Sequence, residues 1–273
     1  MSNKSFICGT VRNCSPFLDK VFINIKKLTT ILDDYHIIMS YDNSEDNTLD
    51  KLKEKQNEYG VSKMDIITHE EPWSLIRVER LSNARNRILH RIREIKSEDP
   101  TWKYFIMIDC DDVCSYTMNE NVIVPYLSKD RDNDWDSLSF NRHAYYDMWA
   151  LSYDPYIFSC WHFQNPQKVI LDMKRLLKHQ LSKLKPGELF KCYSAFDGFA
   201  IYRLDKFLDC EYRWIIDESQ FPADIMERNI KIVGSKPVPR FPNQDCEHRS
   251  FHFQAISKHD AKIMISSESI FAN

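Results

Sequence analysis

Tyr104-Phe105-Ile106-Met107-Ile108-Asp109-Cys110-Asp111-Asp112 joins an unbroken apolar run to a cluster of carboxylates. A short apolar run that stops at a polar cluster predicts a strand buried on both faces, the pattern of a parallel sheet. Upstream of it, strand and helix patterns alternate. Ser5–Thr10 predicts a first strand, and Phe17, Val21, Ile25, Leu28 and Leu32 recur at helical spacing behind Ser15-Pro16. His36–Ser40 predicts a second strand, Leu49–Tyr59 a charged helix closed by Gly60, and Met64–Thr68 a third strand. Leu81–Lys96 carries Leu81, Ala84, Ile88, Leu89 and Ile92 on one helical face. This order predicts an α/β, Rossmann-like fold with a mostly parallel central sheet flanked by helices. Ligands of such sheets sit beyond the carboxyl ends of the strands, where Asp109, Asp111 and Asp112 fall.

Downstream the pattern is less regular. Ser137–Asn141 predicts a strand, Pro166–Leu184 a long basic helix and Tyr193–Tyr202 an aromatic strand. The tail from Gln244 has mixed polarity, and 263–273 matches no element. The 273 residues are read as one domain, 1–273, in which 1–115 binds a ligand and 116–273 completes the site.

Composition removes several classes. Glycine occurs at 9, 60, 187, 198 and 234 only, so neither GxGxxG nor GxxxxGK[ST] can be assembled. A net charge of −3 lacks the basic excess of a nucleic-acid binder. The start MSNKSFICGT has no apolar run long enough for a signal peptide, and no run approaches the roughly 18 residues of a membrane span. A cytoplasmic location is therefore expected. The eight cysteines show no CxxC and no zinc-finger spacing, so reduced thiols are expected.

The chemistry-bearing residues cluster at the ends of predicted strands. Asp109 and Asp111 are spaced to grip a hard divalent cation and a sugar hydroxyl together. Thr10 and Arg12 end the first strand, where backbone amides and a guanidinium can approach a nucleotide. Asp42 follows the second strand and can accept from a base or ribose, although Tyr41–Thr48 would also form an Asx turn. Arg85 is placed near the start of its helix, whose positive end favours phosphate. Asp197, between Tyr193-Ser194-Ala195-Phe196 and Phe199-Ala200-Ile201-Tyr202, is set in apolar surroundings that raise a carboxyl pKa, as suits a general base. His248, with His252 four residues on, is the candidate non-carboxylate metal ligand. Trp149, Trp161 and the tyrosines at 145, 146, 153 and 156 could stack on carbohydrate, but core packing is the plainer reading.

Four segments, taken in order, resemble the GT-A class of nucleotide-sugar glycosyltransferases. They are Gly9-Thr10-Val11-Arg12-Asn13, Tyr41–Thr48, the pair Ser82-Asn83-Ala84-Arg85-Asn86 and Ile108-Asp109-Cys110-Asp111-Asp112, and Asp245-Cys246-Glu247-His248. More narrowly, they look like the capsule-associated mannosyltransferase family and glycosyltransferases of large DNA viruses. The resemblance spans 5–115 well and 190–255 loosely. It implies a GT-A-like fold and a Mn2+ or Mg2+ ion on Asp109, Asp111 and His248. It also implies a nucleotide-sugar donor, UDP- favoured over GDP-, held by Thr10, Arg12, Asp42, Arg85 and Asp109. A glycan or glycoprotein hydroxyl would be the acceptor, Asp197 the base, and the host cytoplasm the location if the chain is viral.

Two other classes compete. Asp109-x-Asp111-x-Val113 also fits the nucleophile–acid pair of a haloacid-dehalogenase-type phosphatase. That class places the pair near its N-terminus and adds a later acidic pair, whereas here three strands come first. A non-catalytic sugar-binding relative would keep the fold without turnover.

Overall fold

The computed structural model describes residues 3–69, 74–142, 145–215, 217, 219, 223–233 and 244–272. In chain order the elements are β1 Ser5–Val11, α1 Ser15–Thr30, β2 Tyr35–Tyr41, α2 Thr48–Tyr59, β3 Met64–Ile67, α3 Arg77–Glu98, β4 Tyr104–Ile108, β5 Ser137–Phe140, α4 Pro166–Leu181, β6 Leu189–Cys192, β7 Phe199–Arg203, α5 Leu204–Phe207, α6 Ala223–Val233, α7 Glu247–His259 and β8 Ile263–Ser266. The chain divides into two compact units. The first is Met1–Asn133 with Gly198–Leu208 and Ile270–Asn273; the second is Asp134–Asp197 with Asp209–Ser269. The fold is mixed α/β.

In the first unit the strands run β3-β2-β1-β4-β7. The first four are parallel and β7 is antiparallel to β4. Ile7 lies opposite Ile37 on one side and Ile106 on the other, so β1 is covered by neighbours along both edges. Every residue of β4 is buried, as its unbroken apolar run requires. Leu18, Val21, Ile25 and Leu28 form the buried stripe of α1, and Ile88, Leu89 and Ile92 that of α3. The start of α1 is held by the loop after β2. Ser15 N donates to Asp46 Oδ2 at 3.1 Å, and Cys14 N donates to Thr48 Oγ1 at 2.8 Å. These side chains satisfy amides that have no partner within the helix. Part of the polar stretch 41–48 is thereby spent on capping.

Two departures from expectation go beyond a residue or two at an element's end. Helix α3 begins at Arg77, a full turn before Leu81. Ser74 explains the early start: its hydroxyl bonds to Glu79, accepts from Ile76 N, and its carbonyl accepts from Arg80 Nη1 at 2.6 Å. The stretch 193–202 is not one strand. It turns at Asp197 and Gly198, which take left-handed φ values of 53° and 83°, and only then enters β7.

The second unit has the strands β5-β8-β6, with β5 parallel and β6 antiparallel to β8. Asn165 caps α4 by accepting from Lys168 N at 3.1 Å, and Val169, Met173, Leu177 and Leu181 form its buried face. Helix α7 has no counterpart in the sequence reading. Residues 247–255 of it are all buried, so the one-sided periodicity that marks a surface helix is missing. Arg249 on α7 is fully buried. It donates to Asp245 Oδ2 at 2.8 Å and to the carbonyls of Trp149, Leu151 and Ile157. Strand β8 lies in the tail that matched no element. All eight cysteines are buried, and none is in a disulfide. No helix among the described residues is long and apolar enough to cross a membrane.

Candidate functional site

The carboxylates after β4 stand at the carboxyl end of the parallel strands. Asp109 N donates to Gly198 O at 2.8 Å, which extends the β4–β7 ladder by one residue and fixes where the strand stops. Its carboxylate, 22% exposed, faces Arg85: Nη2 lies 3.4 Å from Oδ1. Arg85 sits in the third turn of α3, because the helix begins at Arg77. Arg85 is therefore remote from the positive helix end expected to favour phosphate, and its guanidinium reaches the strand edge from mid-helix. Asp111 Oδ1 accepts from Val113 N at 3.2 Å and so caps a short 3-10 turn, Asp112–Cys114. Burial, reinforced by the nearby Asp109 charge, pushes the Asp111 carboxyl up to about 6.

Asp42 forms a second polar point at the end of β2. Its N donates to Val11 O at 2.8 Å, and its Oδ2 lies 3.7 Å from Arg80 Nε. Oδ1 is buried without a hydrogen-bond partner. Burial raises its pKa even though Arg12, Arg80 and Arg87 all draw it down. The Asx role in this loop falls to Asp46, whose Oδ1 accepts from Thr48 N at 3.0 Å. Thr10 is half-buried on β1, and Arg12 is exposed just beyond it. Arg80 and Arg87 were not singled out from sequence. The signal was present, since 77–87 carries four arginines in a helix that leads to the strand edge.

The residues after β4 fit a hard divalent cation. Asp109 and Asp111 offer oxygen donors, and the Asp109 charge adds to the burial that penalises ionised Asp111, a penalty a cation would relieve.

In the second unit, Asp197 is 1% exposed. Its Oδ1 accepts from Tyr146 N at 3.0 Å and Asp147 N at 3.1 Å. Its Oδ2 has no hydrogen bond and lies 3.9 Å from Arg142 Nε. Burial pushes the carboxyl up to about 7, against the opposing pull of the Asp147 amide and of Arg142. It is a turn residue, yet not one that faces water. His248 is also buried; its ring stacks on Phe196 at 4.0 Å and meets Tyr212 edge-on at 5.5 Å. His252 bonds to Ser194 Oγ through Nδ1 at 2.9 Å, and burial holds its pKa down at about 3. Asp109, Asp111, Asp42, Arg12, Thr10 and Arg85 thus belong to the first unit, Asp197 and His248 to the second. Among the central aromatics, Tyr145 and Tyr153 are buried, and the Tyr153 hydroxyl donates to Met173 O at 2.8 Å. For these two, core packing holds.

No protein-family profile matches the sequence, and no curated protein matches it. Solved structures do resemble the chain. One is TarS of S. aureus, residues 1–349, at TM-score 0.48 and 12% identity, covering 98% of this chain. The chain spans 59% of that structure's length. Another crystal of the same protein contains UDP-GlcNAc. A second is the mannosyltransferase PcManGT of Pyrobaculum calidifontis in complex with GDP-Man and Mn2+, at TM-score 0.45 and 12% identity, covering 94% of this chain and 65% of that one. A third is glucosyl-3-phosphoglycerate synthase of Mycobacterium tuberculosis with Mn2+ and UDP, at TM-score 0.39 and 11% identity, covering 76% and 58%.

Proposed function

We propose that this chain is a metal-dependent glycosyltransferase that moves a sugar from a nucleoside-diphosphate donor, UDP- favoured over GDP-, to a hydroxyl of a glycan or glycoprotein. The observation that carries this reading is the pair Asp109 and Asp111 at the carboxyl end of a parallel strand, with the Arg85 guanidinium 3.4 Å from Asp109. Carboxylates beside a buried guanidinium make a place for a cation and a polyphosphate together.

Asp109 and Asp111 would hold Mn2+ or Mg2+; such an ion supplies charge neutralisation at a departing diphosphate. Arg85 binds phosphate oxygens, which a planar guanidinium matches in pairs. Asp42 accepts from the nucleoside through the oxygen left unpaired, with Thr10 on β1 and Arg12 just beyond that strand as the other donor-side contacts. Asp197 takes the acceptor's hydroxyl proton in an inverting transfer. Its carboxyl, held near 7, suits that exchange at neutral pH. His248 is proposed as a metal or phosphate ligand whose ring plane is held by its stack on Phe196. The resemblance to capsule-associated and large-virus enzymes supports a place in glycan biosynthesis.

A thermal-shift panel of UDP, GDP, CMP and their sugars, with and without manganese, tests the reading. Stabilisation by a nucleoside diphosphate that requires manganese supports it. Stabilisation by free phosphate alone would favour the phosphatase, and donor binding without transfer a sugar-binding relative.

A further inference from the structure

Asp209, Cys210 and His259 bring a carboxylate, a thiol and an imidazole together in the second unit. Their ligand atoms all lie within 4.8 Å of one another, the only such trio of metal-binding side chains among the described residues. Asp209 Oδ1 is 2.8 Å from His259 Nε2 and 3.6 Å from Cys210 Sγ. Tetrahedral zinc, with bonds of about 2.3 Å to sulfur and about 2.0 Å to nitrogen or oxygen, sets its ligands roughly 3.3–3.6 Å apart. The sulfur–oxygen separation meets this, the nitrogen–oxygen pair is about half an ångström short of it, and the sulfur–nitrogen pair lies within 4.8 Å.

The three are held by their surroundings. His259 closes α7, and the segment at 209–211 is tied along that helix. Gln254 accepts from Glu211 N at 3.2 Å and donates to Glu211 O at 2.7 Å, while Lys258 Nζ donates to Asp209 O at 2.7 Å. Lys258 also lies 3.6 Å from Asp209 Oδ2, which leaves Oδ1 as the oxygen turned toward the histidine and the thiol. A surface Asp–His ion pair alone would need no sulfur; here a thiol of 0% exposure is aimed at the same oxygen.

We propose that Asp209, Cys210 and His259 form a zinc site with three protein ligands and one open position. The mixed sulfur, nitrogen and oxygen set selects zinc over magnesium or calcium, which take oxygen alone. The site joins the segment at 209–210 to the end of α7, so zinc would staple two stretches some fifty positions apart.

The full-length protein, stripped with chelator, is titrated with zinc against a chromophoric competitor and, in parallel, with cobalt. One equivalent of zinc is expected, together with a sulfur-to-cobalt charge-transfer band in the near ultraviolet. His259→Ala and Asp209→Asn, at partly exposed side chains, should each weaken zinc more than about 100-fold. Cys210→Ser should lose the sulfur band, while Cys160→Ser keeps it. His259→Ala leaves Asp109 and Asp111 intact, so manganese-supported nucleotide binding should persist in it. Zinc affinity unchanged in His259→Ala, a cobalt complex with no sulfur band, or no zinc bound at all would each overturn the proposal.

Discussion

Gly9 lies directly beneath the thiol of Cys110: a β-carbon on Gly9 would stand 2.5 Å from Cys110 Sγ and 3.1 Å from Ile108 O. The glycine is therefore set by close approach of β4 to β1, one residue before the carboxylates turn out of the sheet. Gly9→Ala should destabilise the protein by about 1–3 kcal/mol, the range of overpacked cores, and weaken metal-supported nucleotide binding. Chemical denaturation of Gly9→Ala and of the double variant Gly9→Ala/Cys110→Ala checks this. Recovery of stability in the double variant is the expected result.

Removal of Arg85 separates binding from structure. Arg85→Ala should weaken nucleoside diphosphate binding by roughly 1.5–3 kcal/mol, the scale of a hydrogen bond to a charged group. Calorimetric titration with UDP and manganese measures it. An unchanged dissociation constant would make Arg85 a structural partner of Asp109 only.

Asp111 carries opposite expectations in the presence and absence of metal. In chelator, Asp111→Asn should raise the Tm, because one of two mutually repelling, partly buried carboxylates is gone. With manganese, the variant should show no metal-dependent Tm rise and no transfer activity. Wild-type turnover in excess chelator would sink the metal assignment.

Asp197 and His252 should give the second unit opposed pH dependences. Asp197 titrates near about 7 in the fold and near ~3.9 when unfolded, so the folded chain holds the extra proton between those values. Its contribution to stability is present below ~4 and is lost as pH rises through 7. Asp197→Asn should therefore gain relative stability at pH ~8, by up to about 4 kcal/mol, and transfer sugar far more slowly with donor affinity kept. His252 titrates near about 3 in the fold against ~6.5 unfolded, so its contribution is present above ~6.5 and is lost as pH falls toward 3. Urea titrations of Asp197→Asn and His252→Asn from pH ~3 to ~8 should flatten one slope each.

Arg249 is a pure stability test. Arg249→Met should destabilise by about 3–5 kcal/mol, because Asp245, 4% exposed, would lose its charged partner inside the fold. Double replacement with Asp245→Asn should recover much of that loss.

The parallel half of the fold was legible from residues 5–108 because each element there buries one side or both of a regular pattern. The strand at 104–108 matched to the residue, and its carboxylates stand at the strand's end where the β-α order put them. Boundaries moved where side chains far from the periodic stripe decided them, as Ser74 and Glu79 did for α3. Helix α7 stayed hidden because burial on every side erases amphipathic periodicity, the signal by which a helix is read.

Residue type and spacing alone determined that carboxylates end the central strand, that glycine-rich phosphate loops are excluded, and that Asp197 sits among apolar neighbours. Tertiary structure alone decided which charges meet. Arg85 reaches Asp109 across 24 positions, Asp209 meets His259 across 50, and Arg249 finds three carbonyls about a hundred positions away. Local sequence encodes periodic burial, since that depends on neighbours a turn or a pleat away. Charge pairing and desolvation depend on which distant segments packing brings within a few ångströms, and no local pattern records that.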